Sequence, residues 1–110
     1  MNKDRDPHKA VDYILQNAEN FAFAKAKRIY IEEFRKSKKA LLMKQSLEPA
    51  LGAQERDAYA HYEYIELLKG LRDAVEIEEK LRWGLVAAQA RVDIWRTEQA
   101  NMRTEGKVTI

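Results

Sequence analysis

The sequence predicts an all-α fold, an antiparallel hairpin of two long helices with short helices packed at the N-terminus and at the turn. Three observations carry this. First, apolar and small residues recur in sevens from Tyr64 to Met102. One column is Tyr64, Leu71, Glu78, Leu85, Val92 and Gln99; its partner is Leu67, Ala74, Leu81, Ala88, Trp95 and Met102. Only Glu78 and Gln99 interrupt, so one long helix with a continuous seam is expected. Second, breakers are scarce, with four Gly and two Pro in 110 residues, and Pro49 and Gly52 fall close together as a turn. Third, charge divides along the chain. Lys25 to Lys44 holds eight basic and two acidic residues; Glu55 to Glu79 holds eight acidic and three basic. Antiparallel packing sets the two stretches side by side, although each exposed ion pair adds only about 0–1 kcal/mol.

The elements follow in order. Met1 to Asp6 reads as a loose arm. Asp6-Pro7 is an N-cap followed by proline at the first helical position, where its missing N–H costs nothing. Val11, Ile14, Leu15 and Ala18 have helical spacing and give a short helix from Pro7 to about Gln16. A break or kink is expected at Asn17 to Asn20, because the apolar stripe changes phase there; a single helix of roughly 40 residues is the alternative. The second helix runs from about Glu19 to Ser46, with its inward stripe read as Phe23, Ala26, Tyr30, Glu33 with Phe34, Ser37, and Ala40 with Leu41. Leu47 to Gly52 is the turn, and Ala53 to Tyr59 a short helix. The long C-terminal helix ends at Gly106, leaving Glu105 to Ile110 as a loose tail. The first helix is expected to fold back over Val92 and Trp95. The whole, 1–110, is read as one domain.

Composition excludes several classes. No cysteine is present, which removes disulfide scaffolds, thiolate metal sites and cysteine nucleophiles. No apolar run reaches the length of a membrane span, and Met1 to Lys9 lacks the apolar core of a signal peptide. A cytoplasmic protein with no membrane partner is expected. A net charge of +2 selects no partner by itself. Neither His8 nor His61 has a triad-like acidic neighbour, and no nucleophile elbow, phosphate loop or zinc-binding motif occurs. A non-enzyme without cofactor is expected.

Three groups of residues are candidates for function. With Ser46 set level with Tyr62, position i faces roughly 108 − i, so Tyr30 faces Glu78 and Glu33 lies within about a turn of it. Ser37, Arg72, Glu79 and Arg82 share these faces. Tyr30, Glu33, Ser37, Arg72, Glu78, Glu79 and Arg82 are therefore expected to form a polar layer. The simpler reading is an ion-pair network that fixes register, since a buried carboxylate needs a partner. The sharper one is a metal-dependent enzyme site. Glu32-Glu33 and Glu76-x-Glu78-Glu79 invite comparison with the magnesium-binding glutamates of helical nucleotide pyrophosphatases. Lys36 stands where a second acidic pair belongs, however, and no Glu-x-x-His accompanies the acids, so no metal ligand is assigned.

Lys25, Arg28, Arg35, Lys36, Lys38 and Lys39 form a basic face whose spacing suits successive phosphates of a nucleic acid; a solvated face paired with the acidic helix is the plainer reading. Trp83, Gly84 and Arg91 mark a possible protein interface, in a composition favoured at such surfaces. Gly84 in mid-helix costs about 1 kcal/mol relative to Ala, which close approach of another helix would explain. Ile77, Gly84 and Arg91 line a second face that meets either the first helix or another copy in a homodimer.

Two segments carry a resemblance. Residues 17–40, Asn-Ala-Glu-Asn-Phe-Ala-Phe-Ala-Lys-Ala-Lys-Arg-Ile-Tyr-Ile-Glu-Glu-Phe-Arg-Lys-Ser-Lys-Lys-Ala, and residues 79–91, Glu-Lys-Leu-Arg-Trp-Gly-Leu-Val-Ala-Ala-Gln-Ala-Arg, together resemble small all-helical proteins of tailed phages and prophages. The genes of that group often lie among recombination and replication genes. The resemblance implies a phage setting and a context in DNA metabolism, and with no catalytic motif present a non-enzymatic accessory protein that acts by binding a protein or nucleic acid is expected. It contains no catalytic motif and assigns no residue a role.

Overall fold

The computed structural model describes residues 6–109, and the expected arm, Met1 to Asp6, lies outside them but for Asp6. Three helices account for the fold: α1 Pro7–Gln45, α2 Leu51–Ala60 and α3 Tyr62–Thr109. The described residues divide into two compact units. One joins the residues up to Phe21 with those from Lys80 onward; the other is Ala22–Glu79.

α1 starts as its sequence dictates. Asp6 Oδ1 accepts the His8 N–H at 2.9 Å, Pro7 takes the first helical position, and one orphan donor is thereby satisfied. The expected break at Asn17 to Asn20 does not occur; α1 is continuous over 39 residues. The asparagine side chains turn backward instead of capping. Asn17 Nδ2 donates to the Tyr13 carbonyl at 3.0 Å, and Asn20 Nδ2 to the Gln16 carbonyl at 3.5 Å. Both are bonds along the helix to the i−4 carbonyl, a mode that leaves the helix intact. The change of stripe phase coincides with the change from one unit to the other at Phe21.

In the Ala22–Glu79 unit, α1 and α3 run antiparallel, with Arg28 paired to Glu78 and Lys38 to Glu63. The α3 seam is the one the heptads define: Tyr64, Ala74 and Glu78 are buried, and Leu67 and Leu71 half-buried. The face that α1 presents differs from the expected one. Ala24 and Leu42 are buried, and Arg28, Ile31 and Lys38 half-buried. Of the expected stripe, Phe34 is half-buried, but Phe23 is 73% exposed and Tyr30 68%. The real seam is offset by one residue, about 100° around the helix. It buries one small residue, Ala24, and it places a cation opposite the buried Glu78.

α2 closes the turn. Its Ala58 is fully buried and packs with Leu42, Tyr64 and Met43; burying one leucine contributes about 1.5–3 kcal/mol. The preceding loop is tied to α2: Ser46 Oγ donates to Asp57 at 2.5 Å and accepts the Glu48 N–H at 3.2 Å. His61 serves as a cap, its Nδ1 accepting the Glu63 N–H at 3.1 Å at the start of α3.

In the other unit, Ala10 of α1 and Ala88 of α3 are buried. The α3 seam continues through half-buried Leu81, Leu85 and Val92. Trp95, expected in the core, is 39% exposed. Gly106 does not end the helix, which continues through the expected tail to Thr109. Among the described residues no helix is long and apolar enough to cross a membrane.

Candidate functional site

The expected polar layer exists at Glu78 but with a different composition. Glu78 is 4% exposed, and its partner is Arg28, from the residues assigned to the outward basic face. Arg28 Nε donates to Glu78 Oε2 at 2.6 Å and Nη2 to Oε1 at 2.9 Å. The third arm, Nη1, donates to Glu32 Oε2 at 3.0 Å. A two-toothed guanidinium–carboxylate pair is the geometry that best compensates a carboxylate taken out of water. The hydrogen bonds that Arg28 donates to Glu78, and then to Glu32, push its guanidinium pKa upward.

The other residues expected in the layer stand elsewhere. Glu33 is exposed and pairs with Lys36 one turn along, at 3.6 Å. Tyr30 is exposed and stacks on Phe34, ring centres 6.0 Å apart and 9° from parallel. Ser37 is exposed. Arg72 points outward and meets its neighbour Asp73 at 3.2 Å. Glu79 is half-buried and Arg82 exposed. The cause is the one-residue offset in the α1 seam, which turns Tyr30, Glu33 and Ser37 to solvent and Arg28 inward. Among the described residues, no three acidic or histidine side chains lie together as a metal-binding group.

The basic face is largely consumed. Besides Arg28, Lys38 pairs with Glu63 at 3.1 Å and Lys39 with Glu55 at 2.7 Å. Lys39 also lies over the Tyr59 ring, 4.8 Å from its centre, a cation–π contact. Its pKa is raised, chiefly by the hydrogen bond to Glu55 and secondly by that to Tyr59. Arg35 Nε donates to the Glu32 carbonyl at 3.4 Å. Lys25, Arg35 and Lys36 remain exposed, a thinner positive surface than the sequence implies.

No protein-family model, curated protein or solved structure matches this chain.

The third candidate group lies in the unit built from both chain ends. Gly84 has the close neighbour its position implies. A Cβ there would land on the Tyr13 hydroxyl of α1, with the ring Cζ 3.0 Å away. Trp83 is 62% exposed, and Arg91 is exposed. Further along α3, Ile94 is 58% and Met102 60% exposed. Trp95, Arg96, Gln99 and Arg103 line an open groove on the helix. From Asp93 to Gly106 only Gln99 is even half-buried. The seam's 4-3 spacing therefore persists through Trp95, Gln99 and Met102 along a helix face left exposed.

The inward place of Arg28 and the packing of Tyr13 against Gly84 are what the sequence shows least. The signal for Arg28 was its place in the 4-3 series Ala10, Ile14, Asn17, Phe21, Ala24, Arg28, Ile31. That series is weaker in hydrophobicity than the aromatic stripe beside it.

Proposed function

We propose that the protein is a non-enzymatic accessory protein that works by holding a partner protein along the exposed C-terminal part of α3. The observation that carries the reading is the seam beyond Val92. Trp95, Gln99 and Met102 keep coiled-coil spacing, and Trp95 and Met102 are exposed. Such a face accepts an amphipathic helix, which would insert its own apolar positions between them. Arg91, Arg96 and Arg103 are balanced by Asp93, Glu98 and Glu105, so the stretch has no net charge to attract a polyanion. Exposed tryptophan beside arginine is the composition of binding hot spots. The resemblance to small phage helical proteins supports a setting in phage recombination or replication, where such a partner would be found.

A nucleic-acid module on α1 is the weaker reading, because Arg28, Lys38 and Lys39 are engaged with carboxylates. A glutamate-based metal enzyme is weaker again, with Glu78 held by Arg28 and Glu33 in solvent.

The experiment is affinity capture from phage-infected cells with the wild-type chain and with Trp95→Glu and Met102→Glu. A protein retained by the wild type and lost by both variants supports the reading. Equal retention by all three, or recovery of nucleic acid alone, contradicts it.

A further inference from the structure

We infer that His61 is a pH-operated joint between α2 and α3, whose ring, on taking up a proton, lets go of the α3 N-terminus and pairs with the Glu63 carboxylate instead. His61 is the one residue between the two helices. Its own N–H donates to the Ala58 carbonyl at 3.3 Å, and its carbonyl accepts the Tyr64 and Ile65 N–H groups at 3.0 and 3.1 Å. The ring adds a further tie. Nδ1 accepts the Glu63 N–H at 3.1 Å and so satisfies one of the donors that a helix start leaves open. Stacking on Tyr62, with ring centres 5.0 Å apart and planes 24° from parallel, holds the ring in place.

The choice of residue makes this cap conditional. Ser, Thr, Asp and Asn are the favoured caps, and their oxygens accept a hydrogen bond on either side of neutrality. A histidine Nδ1 accepts only while the imidazole is neutral and carries its hydrogen on Nε2; in the imidazolium both nitrogens donate. Adding a proton therefore sets one N–H against another. It also places a positive charge at the positive end of the α3 dipole. The side chain is 35% exposed, so solvent protons reach it.

The surroundings give the charged ring somewhere else to go. Glu63 Oε2 lies 4.0 Å from Nδ1, beyond a hydrogen bond but within a small rotation of one. That carboxylate is held by Lys38 of α1 at 3.1 Å, so Lys38 competes for it. Glu48 of the turn and Asp57 of α2 line the same open cavity as His61, and Asp57 accepts a hydrogen bond from Ser46 Oγ. Carboxylates thus face the ring from the turn, from α2 and from α3, and they favour a positive charge there. Protonation exchanges a backbone partner for a carboxylate rather than only breaking a bond. The exchange frays the first turn of α3 at the joint beside Ala58, which packs with Leu42 and Tyr64.

The test is amide hydrogen exchange on the full chain near pH 8 and near pH 5, the span over which imidazoles titrate. Wild type is compared with His61→Asn, whose side-chain oxygen caps without titrating. Taking the ratio of the two rates at each pH cancels the intrinsic pH dependence of exchange and the titration of His8. For the Glu63 amide the ratio should be close to unity near pH 8 and rise about fivefold near pH 5. The amides of Ala74 and Ala88, in the middle of α3, should keep a constant ratio. Imidazole nitrogen NMR shifts of the wild type report the same event without any substitution, and near pH 8 Nδ1 should be the nitrogen without hydrogen. Lys38→Met leaves Glu63 to His61 alone and should move the change to higher pH. A Glu63 ratio that is the same at both pH values overturns the inference. So does a wild-type Nδ1 that carries hydrogen near pH 8, or a change that Lys38→Met leaves where it was. None of these readouts involves Trp95 or Met102, so the joint and the partner site on α3 succeed or fail separately.

Discussion

Arg28 grips both carboxylate oxygens of Glu78, at 2.6 and 2.9 Å, and uses its remaining nitrogen on Glu32. Glu78 is the one buried charged residue among those described, and it interrupts an otherwise apolar seam. A carboxylate in that position tolerates few arrangements, because sliding or rotating α1 away from Arg28 breaks the two-toothed pair that compensates its burial. The pair thus acts as a register lock. Its occupied geometry is also why Glu78 is better read as structure than as a ligand for a metal ion.

Gly84 and Gly70 separate two reasons for glycine in a helix. Nothing lies within 4 Å of a Cβ built at Gly70, while one at Gly84 meets Tyr13. Gly70→Ala should stabilise the chain by about 0.5–1 kcal/mol through helix propensity alone. Gly84→Ala should gain less than Gly70→Ala in the wild type, because the Tyr13 side chain must swing aside, and should gain up to about 1 kcal/mol in a Tyr13→Ala background. Urea melts of the four chains check this. If Gly84→Ala stabilises the wild type as much as Gly70→Ala does, the Tyr13 contact is not what the glycine accommodates.

Lys39 gives a pH dependence of defined sign. Glu55, then Tyr59, raise its folded pKa above the ordinary lysine value. A raised folded value means that the stabilisation is complete below the unfolded pKa and is lost as pH climbs through the folded one. The difference in melting temperature between wild type and Lys39→Met should be flat from neutrality to about pH 10 and should shrink above it. A difference already collapsing near pH 8 would sink this assignment.

Nucleic-acid binding through α1 should be weak. Fluorescence anisotropy with single- and double-stranded DNA should show little binding at physiological salt. Any binding at low salt should fall steeply with added salt and depend on Lys25, Arg35 and Lys36 rather than on Lys38 or Lys39. Tight binding at physiological salt that Lys38→Gln and Lys39→Gln abolish would restore the basic face as a nucleic-acid site.

Much of the fold was legible in the sequence, and the site less so. The α3 seam, the Asp6-Pro7 start, the turn at Pro49 and the helix within it each follow from periodicity or from local backbone chemistry. The acidic and basic stretches meet as their charges imply. The α1 face was misread for an identifiable reason. Periodicity weighted by hydrophobicity favours Phe23 and Tyr30 over Ala24 and Arg28, yet close helix packing favours the small Ala24 and Glu78 demands a cation. Two stripes one residue apart compete on α1, and only the partner's needs decide between them. The continuity of α1 was obscured in a similar way. Asn17 and Asn20 are as suited to capping as to bonding back along a helix, and local sequence does not rank the two. The glutamate site failed because its placement rested on the misread face.

A double-mutant cycle at positions 28 and 78 tests the central claim most directly. The measurement is the melting temperature of wild type, Arg28→Met, Glu78→Leu and the double variant, with Arg72→Gln as a surface control. Arg28→Met should lower the melting temperature by about 10 °C or more, because the buried Glu78 loses its two-toothed partner. The double variant should recover most of that loss, and Arg72→Gln should stay within about 2 °C of wild type. Additive effects, or an Arg28→Met chain as stable as wild type, would contradict the register lock and return Glu78 to consideration as a ligand-binding residue.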